Sequence, residues 1–453
     1  MIKSTLLKFY GLNQAEFNKF SFLGAIFAFT IGVYWVLCPL RDSIFCTTAC
    51  ITNLPFARWV AFLIVIPLAM IYSLIVNNYK RHKIFYVLCA FYGFITLFFA
   101  YFLAHPVYGL NPANIDRLVL DSQAVSRHIE PWSRFLGWAF YIYVESFGAI
   151  MVVLFWSFAA DTTKPQAAKS GFGLIAVGAQ LGGVLGPLLV AMFVKNMGEA
   201  PLVFGSGIAI FIMGFMIALF MKIIPKDQLE GYGENQKNNQ VRTGLLEGLK
   251  LLLVKPYLLS IFIIISFFEI INTIFYYRLT LLANNAYAGR ALSFYLSNFG
   301  LWVNLLGLIF LLFGLNNLGR KLGILKSLLI LPSLVAVIIV ITYFKLGLWP
   351  VWIGNLLMRS LNYAFNQPIK EQLYIPTSQD VKYKAKAWTE MFGARGAKAT
   401  GSMITSFSNV LTTDLFLGLI TLISLGLVGV WVFAIFYVGR KYQSAIDSNN
   451  IAC

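Results

Sequence analysis

Long apolar runs alternate with short polar clusters along the chain, and this alternation predicts helices that cross a membrane. Each run approaches the ~20 residues that a helix needs to span a hydrocarbon core about 30 Å thick. Helices can cross lipid because they satisfy their own backbone hydrogen bonds. The predicted spans are 20–48, 56–77, 84–104, 133–158, 171–194, 202–224, 256–281, 293–314, 322–343, 348–366, 384–411 and 415–439.

One polar segment, residues 225–240, divides these twelve runs into two groups of six and is the longest hydrophilic stretch of the chain. We therefore predict an all-α membrane protein with twelve transmembrane helices in a 6+6 arrangement. The predicted parts are an N-terminal half over 1–224, a cytoplasmic linker over 225–255 and a C-terminal half over 256–453. Such a layout is typical of a transporter whose site lies between the halves.

The basic residues of the connecting segments predict the orientation. If the spans alternate, one side collects Lys80, Arg81, Lys83, Lys164, Lys169, Arg320, Lys321, Arg440 and Lys441. Cytoplasmic loops are enriched in Lys and Arg, so we expect both termini to be cytoplasmic. The first eight residues are too short and polar for a signal peptide, and none is expected.

The amino-acid composition limits the partners, cofactors and reactions that this chain can be expected to have. The chain is 59% hydrophobic and 12% charged, which is about half the charge of a soluble domain. Its 35 Lys and Arg residues against 18 Asp and Glu residues mainly reflect basic loops, so no nucleic-acid partner is expected. The cysteines and histidines lack metal-ligand spacing, and we predict neither a metal nor a cofactor. Because no phosphate loop is present, we expect a carrier driven by exchange or an ion gradient, and not an enzyme.

Glu145 is a carboxylate in the middle of the predicted span 133–158. Inserting a charge at this depth costs about 2.5–3.5 kcal/mol, so structure alone rarely asks for it. It is either an ion-pair strut between helices or part of the solute path, and we favour the second. Trp138 and Tyr141 share its helix face, which gives either a shelf where a base stacks or a packed aromatic face.

Arg41 follows Pro39 closely and lies between apolar stretches. Asp42 is the simplest ion-pair partner, although adjacent residues on a helix point about 100° apart. A guanidinium that faces a cavity would instead suit phosphate, which it can grip bidentately. We favour the phosphate role.

The predicted span 384–411 contains the most basic helix. Arg395 and Lys398 are three residues apart and therefore about 60° apart around the axis. Glu390 points about 140° from Arg395, so simple i,i+4 contact does not neutralise that pair. Three lysines lead into the helix from the cytoplasm: Lys382, Lys384 and Lys386. Loop bias explains some of these lysines but not the deeper pair, which is the better phosphate-binding candidate.

The span 256–281 contains another buried acid and base. Glu269 and Arg278 are nine residues apart, with Asn272 between them. We expect them to pair across helices with the charged residues above.

Small residues recur at intervals of four in the span 171–194, from Gly178 to Gly186. Such a stripe lets a neighbouring helix approach closely. A dinucleotide-binding motif is excluded, because no strand precedes these glycines and the helix is membranous.

Several different short motifs occur one after another along the chain. They are Leu40-Arg-Asp-Ser43, Tyr143-Val-Glu-Ser-Phe-Gly148, Phe155-Trp-Ser-Phe-Ala159, Asn298-Phe-Gly-Leu-Trp302, Pro368-Ile-Lys-Glu-Gln-Leu-Tyr-Ile-Pro376, Lys382-x-Lys-x-Lys-Ala387 and Gly396-Ala-Lys398. With these motifs the chain resembles the nucleotide transporters (ATP/ADP translocases) of obligate intracellular bacteria and plastids. The resemblance implies a twelve-helix carrier of the major-facilitator type that exchanges ATP for ADP or imports nucleotides.

The resemblance also implies roles for individual residues. Arg41 stands at the family's first-helix lysine, and Glu145 looks like its fourth-helix glutamate. The family's eleventh-helix basic motif is matched by Lys384, Lys386 and Lys398, with Arg395 near a basic position. One departure is Phe275, which stands where the family has a seventh-helix acid. Glu269 does not simply replace that acid.

We therefore expect exchange of ATP for ADP by alternating access in the inner membrane of an intracellular bacterium. The predicted substrate-binding residues are Arg41, Glu145, Asn272, Arg278, Lys384, Lys386, Arg395 and Lys398, with base stacking on Trp138 and Tyr141. The expected partners are a small anionic nucleotide and membrane lipid, and a monomer is expected. Two alternatives stay open: proton-coupled import of a nucleotide, nucleotide cofactor or other phosphorylated anion, and a non-transporting scaffold or sensor.

Overall fold

The structure is a computed structural model that describes residues 13–105, 131–163, 165–225, 229, 245–312, 322–374, 376–377 and 385–448. Nearly all of these residues are helical, and ten of the described helices are long and apolar enough to cross a membrane. The predicted all-α membrane class is therefore confirmed. The count of twelve spans and their 6+6 arrangement stay predictions.

The helices are labelled here in chain order. They are α1 Gln14–Ala49, α2 Leu54–Asn78, α3 Arg81–Ala104, α4 Pro131–Asp161, α5 Pro165–Met197, α6 Glu199–Ile223, α7 Leu245–Val254, α8 Pro256–Ala286, α9 Gly289–Leu312, α10 Ile324–Phe344, α11 Leu348–Leu361, α12 Gln367–Gln372, α13 Lys386–Trp388, α14 Ala394–Ser406 and α15 Thr413–Asp447. Short 3-10 turns occupy Ile51–Asn53 and Phe407–Asn409.

The start of α1 lies earlier than the predicted start at residue 20. Asn13 accepts a hydrogen bond from the backbone N–H of Glu16 at 2.8 Å, and the Glu16 carboxylate accepts one from the backbone N–H of Asn13 at 3.2 Å. This capping box satisfies backbone donors at the helix end. The polar first turns belong to the helix, whereas hydropathy reports only its apolar part.

Two helical stretches of the C-terminal region are interrupted by π-helical turns. The turn Asn362–Asn366 joins α11 to α12, and the turn Thr389–Gly393 joins α13 to α14. The predicted spans 348–366 and 384–411 fall on these stretches. A π turn adds a residue without changing hydropathy, so the sequence pattern does not show it.

Helix α7 lies inside the segment predicted as a linker, which is therefore partly helical from Leu245 to Val254. The chain forms two compact units. Unit 1 lies within Met1–Ile51, Leu63–Gln240 and Tyr287–Leu301, and unit 2 lies within Thr52–Phe62, Val241–Ala286 and Trp302–Cys453. The predicted boundaries 1–224, 225–255 and 256–453 stay predictions.

Unit 1 is organised around α1, which packs against α4, α5 and α6. The contact with α5 is close because backbone carbonyls of α1 occupy the space where side chains at Gly178 and Gly182 would lie. The expected small-residue packing is thus observed. On the α4 side, Phe27 stacks on Phe155 with ring centroids 4.2 Å apart.

Unit 2 is organised around α8, which packs against α11, α14 and α15. Trp431 of α15 is fully buried against Phe268 of α8, with ring centroids 6.1 Å apart. Other large apolar side chains, such as Phe344 and Phe433, remain exposed on the helix surfaces. Lipid tails can cover such side chains in a membrane protein.

Candidate functional site

The charged groups of unit 1 converge on Arg41, which is buried in α1. Its Nη2 lies 2.7 Å from Oδ1 of Asp42, and its Nη1 forms an ion pair with Glu145 of α4. The long Arg side chain bends back to its neighbour, so the divergence of adjacent helical positions does not prevent the contact. Arg41 therefore has the geometry of a strut between helices, and its contact with phosphate stays a prediction.

Trp138 and Tyr141 pack around Phe45 of α1. The ring centroids of Trp138 and Tyr141 lie 5.0 and 5.1 Å from that of Phe45, both in edge-to-face geometry. Tyr141 also supports the Arg41 guanidinium, whose Cζ is 4.6 Å from the ring centroid. The arrangement corresponds to a packed aromatic face, one of the two alternatives. Stacking of a base on these rings stays a prediction.

In unit 2, one face of α8 carries a polar stripe of Glu269, Asn272 and Tyr276. Their spacing of three and four residues aligns them along the helix. The Glu269 carboxylate lies 3.8 Å from Nζ of Lys398, and Arg359 donates from Nε to Oδ1 of Asn272 at 2.8 Å. The stripe is thus the place where unit 2 gathers cations from two neighbouring helices.

Two arginines of this region escaped the sequence analysis. Arg359 of α11 places Cζ 4.1 Å from the Tyr276 ring centroid, and Arg58 of α2 places its Cζ 5.5 Å from the same centroid. Arg359 lies well inside the predicted span 348–366, so the rule that selected Arg41 could have found it. Arg58 lies close to the start of the predicted span 56–77, where a cation needs no special explanation.

The basic helix is divided between α13 and α14. Lys386 lies 2.5 Å from Oε2 of Glu371 and 3.8 Å from Oε1 of Glu390. Because Glu390 is part of the π turn Thr389–Gly393, which precedes Arg395, the angle of 140° expected for a regular helix does not apply. Lys384 lies outside the described residues, and the phosphate-binding roles of Lys386, Arg395 and Lys398 stay predictions.

Arg278 of α8 is buried and donates from Nη2 to the carbonyl of Thr342 at 2.7 Å. This carbonyl belongs to the last turn of α10, where a cation offsets the helix dipole. The contact gives Arg278 a structural role, and substrate binding by Arg278 and Asn272 stays a prediction. Glu269, which was expected to pair across helices with the charged residues named before it, contacts Lys398, so this expectation is confirmed.

Among the described residues, no group of three or more His, Cys, Asp and Glu side chains could hold a metal ion. Two ion pairs inside the helices place a cation against a carboxylate, namely Arg41 with Glu145 and Lys398 with Glu269. An anionic solute can compete for such cations, since it can replace the carboxylate as the counterion.

These features define a multi-pass helical membrane protein with ion pairs inside its spans. The sequence profile of the TLC ATP/ADP transporter family matches residues 2–350 and 345–442. The chain therefore belongs to the TLC ATP/ADP transporter family, a family of carriers, as the motifs predicted.

Individual relatives agree with this assignment. The chain is 24% identical over 418 residues to ADP,ATP carrier protein 1 of Chlamydia muridarum, covering 82% of this chain and 78% of the relative. It is 22% identical over 486 residues to ADP,ATP carrier protein 1 of Rickettsia prowazekii, covering 97% and 96%. The crystal structure of the nucleoside transporter NupG superposes with a TM-score of 0.61 at 15% identity, covering 93% of this chain and 99% of that structure, which supports the fold alone.

Proposed function

We propose that the protein exchanges ATP for ADP across the inner membrane of a bacterium by alternating access, as a monomer with both termini cytoplasmic. Family membership and the names of the bacterial relatives support a nucleotide as the substrate. The basic loops support the orientation. Membrane lipid surrounds the protein and is its other partner.

The observation that carries the proposal is the pair formed by Lys398 and Glu269. The Lys398 side chain is 57% exposed, whereas that of Glu269 is only 19% exposed. Their charged atoms lie 3.8 Å apart, which is too far for a direct hydrogen bond between them. An ammonium group has three donors, so a phosphate chain can draw Lys398 away from a carboxylate that holds it loosely.

Lys386 is also neutralised by carboxylates, but more tightly, with Oε2 of Glu371 at 2.5 Å and Oε1 of Glu390 at 3.8 Å from its Nζ. Charged groups at membrane depth need a counterion in every state of a transport cycle. In the empty state these glutamates neutralise the lysines, and in the loaded state the polyphosphate does so. The carrier thus keeps these ammonium groups paired with an anion when it switches between its inward-facing and outward-facing states.

We assign Arg41 and Glu145 to the response of unit 1 to the substrate. The Arg41 side chain is 5% exposed and that of Glu145 is 33% exposed, so the carboxylate is the accessible member of the pair. A change at Glu145 would alter the contact between α1 and α4. This makes the pair suited to coupling the charge of the solute to helix packing.

Phe275 is a departure from the family's sequence pattern, and it concerns the driving force of transport. It is buried in an apolar cluster with Phe268 and Ile271, and the resemblance to the family implies that it stands where the family has a seventh-helix acid. Coupling in this chain must therefore use other groups. Proton-coupled import of a phosphorylated anion is the alternative that the same departure permits.

Purified protein in proteoliposomes separates these functions. We expect uptake of radiolabelled ATP to require ADP inside the vesicles and to be insensitive to a proton gradient. Uptake into ADP-free vesicles that is driven by external acid would contradict exchange and support symport. Absence of flux under both conditions would contradict transport of this nucleotide pair.

A further inference from the structure

Side chains of α8, α11 and the beginning of α2, all within unit 2, meet at the ring of Tyr276. Arg58 of α2 and Arg359 of α11 both place Cζ within 5.5 Å of its centroid. Arg359 is fixed further by Asn272, one helical turn earlier on α8, which accepts a hydrogen bond from Nε at 2.8 Å. Two side chains of the α8 polar stripe, Tyr276 and Asn272, therefore contact these guanidinium groups.

This arrangement orients the donors of both arginines. An aromatic ring attracts a guanidinium by its face, through cation–π and stacking interactions that leave the N–H groups in the guanidinium plane. Each planar fork matches two oxygens of a phosphate. A ring that supports two guanidinium groups therefore prepares a site for an anion with more than one phosphate.

Like charges gathered at one ring repel each other, and the repulsion is strong where water is scarce. A monophosphate can satisfy the fork of one guanidinium. Two adjacent phosphates of a phosphoanhydride can engage both forks at once and offset the repulsion between them. The geometry thus favours a diphosphate group over a single phosphate.

We propose that Arg58 and Arg359, supported by Tyr276, bind the phosphoanhydride group of a nucleoside di- or triphosphate. The proposal rests on the proposed function and adds the element that distinguishes ADP and ATP from AMP. Arg359 and Arg58 are then binding residues, whereas Tyr276 and Asn272 are positioning residues. Lys398 is a separate cation of the same unit and is not needed for this discrimination.

Binding to the purified full-length protein in lipid nanodiscs tests the proposal. Isothermal titration with ADP, AMP and inorganic pyrophosphate should show that the wild-type protein prefers ADP to AMP. Arg359→Lys keeps the charge but removes the planar fork, and Arg58→Gln removes the second guanidinium. Each should weaken ADP and pyrophosphate binding at least tenfold and change AMP binding less than threefold.

Tyr276 and an unrelated lysine provide matched variants. Tyr276→Phe keeps the ring and should retain the preference for ADP, whereas Tyr276→Leu should lose it. Lys222→Gln removes an exposed charge from α6 and should change nothing. If the gel-filtration profile of Arg58→Gln departs from that of the wild-type protein, the conservative variant Arg58→Lys takes its place and should show the same selective loss.

The outcomes separate this proposal from the proposed function. Equal losses for ADP and AMP, or no loss, in proteins that still exchange ATP for ADP would overturn the phosphoanhydride site and leave the carrier function standing. Pyrophosphate binding that depends on Arg58 and Arg359 in a protein without nucleotide exchange would support the site and overturn the function.

Discussion

Arg41 of α1 and Glu145 of α4, which are 104 residues apart in the sequence, form an ion pair between the two helices. The same guanidinium contacts Asp42, so one cation serves two carboxylates. Asp42 is fully buried, whereas Glu145 is about one-third exposed. The two acids therefore share a partner but differ in their access to water or solute.

Asp42 and Glu145 should respond differently to neutralisation. Asp42→Asn removes a fully buried partner of Arg41 and should destabilise the fold by about 3 kcal/mol, since it leaves a buried charge poorly compensated. Glu145→Gln should cost about 1 kcal/mol, because Asp42 still neutralises the guanidinium. Thermal unfolding of the purified variants should therefore show a lower apparent Tm for Asp42→Asn than for Glu145→Gln. The opposite order would contradict the assignment of Asp42 as the main structural partner.

Gly182 should tolerate no side chain. A methyl group there would overlap the carbonyl oxygen of Ala28 in α1, and backbone cannot move aside as a flexible side chain can. We expect Gly182→Ala to destabilise unit 1 by about 1–3 kcal/mol. Gly205→Ala is the matched control, since nothing lies within 4 Å of a Cβ added at that position. Equal Tm values for the two variants would show that α1 and α5 do not require this close contact.

The double variant Arg395→Gln with Lys398→Gln should abolish uptake of radiolabelled nucleotide. Both residues lie on α14, and removing them deletes two charges from the basic helix while the glutamines keep much of the side-chain length. We expect at least a tenfold loss of initial rate, equivalent to about 1.4 kcal/mol. Lys222→Gln serves as the charge control, and rates should be corrected for protein in the vesicles. Unchanged uptake in the double variant would contradict phosphate binding by this helix.

An ion pair joins the start of α3 to the end of α4. Arg81 Nε lies 2.7 Å from Asp161 Oδ2, and Ser157 accepts from the same nitrogen at 3.1 Å. Asp161→Asn should lower the free energy of unfolding by about 1 kcal/mol, because both side chains are partly exposed. The exchanged pair, Arg81→Asp with Asp161→Arg, should recover part of that loss. If the exchanged pair is no more stable than the single variants, the attraction between these charges does not stabilise the protein.

Hydropathy predicted the helical class and the approximate positions of the apolar spans, because each span must match the membrane thickness. The rule that charges inside spans need a reason selected Arg41, Glu145 and Lys398, all of which have charged partners in the structure. Asp42 could be named from the sequence as a partner of Arg41, but the pairing of Arg41 with Glu145 could not. The pairing of Lys398 with Glu269 depends on how α14 packs against α8, which a single helix pattern does not specify.

The residues that the sequence analysis missed show which features can be recognised from sequence patterns and which cannot. Arg359 carried a usable signal, since it is a cation inside a predicted span. Tyr276 carried none, because an aromatic residue on a membrane helix is ordinary. Its significance comes only from the two guanidinium groups that other helices bring to it.

The π turn Thr389–Gly393 has a consequence for how this protein can evolve. Each residue of a regular helix advances the direction of the next side chain by about 100°. A π turn absorbs one extra residue locally, so deleting one residue from it should restore a regular helix while the later side chains of α14 keep their direction. A single-codon deletion in the turn should therefore leave Arg395 and Lys398 aimed at the same neighbours, whereas one in the regular part of α14 would turn the side chains that follow it by about 100°.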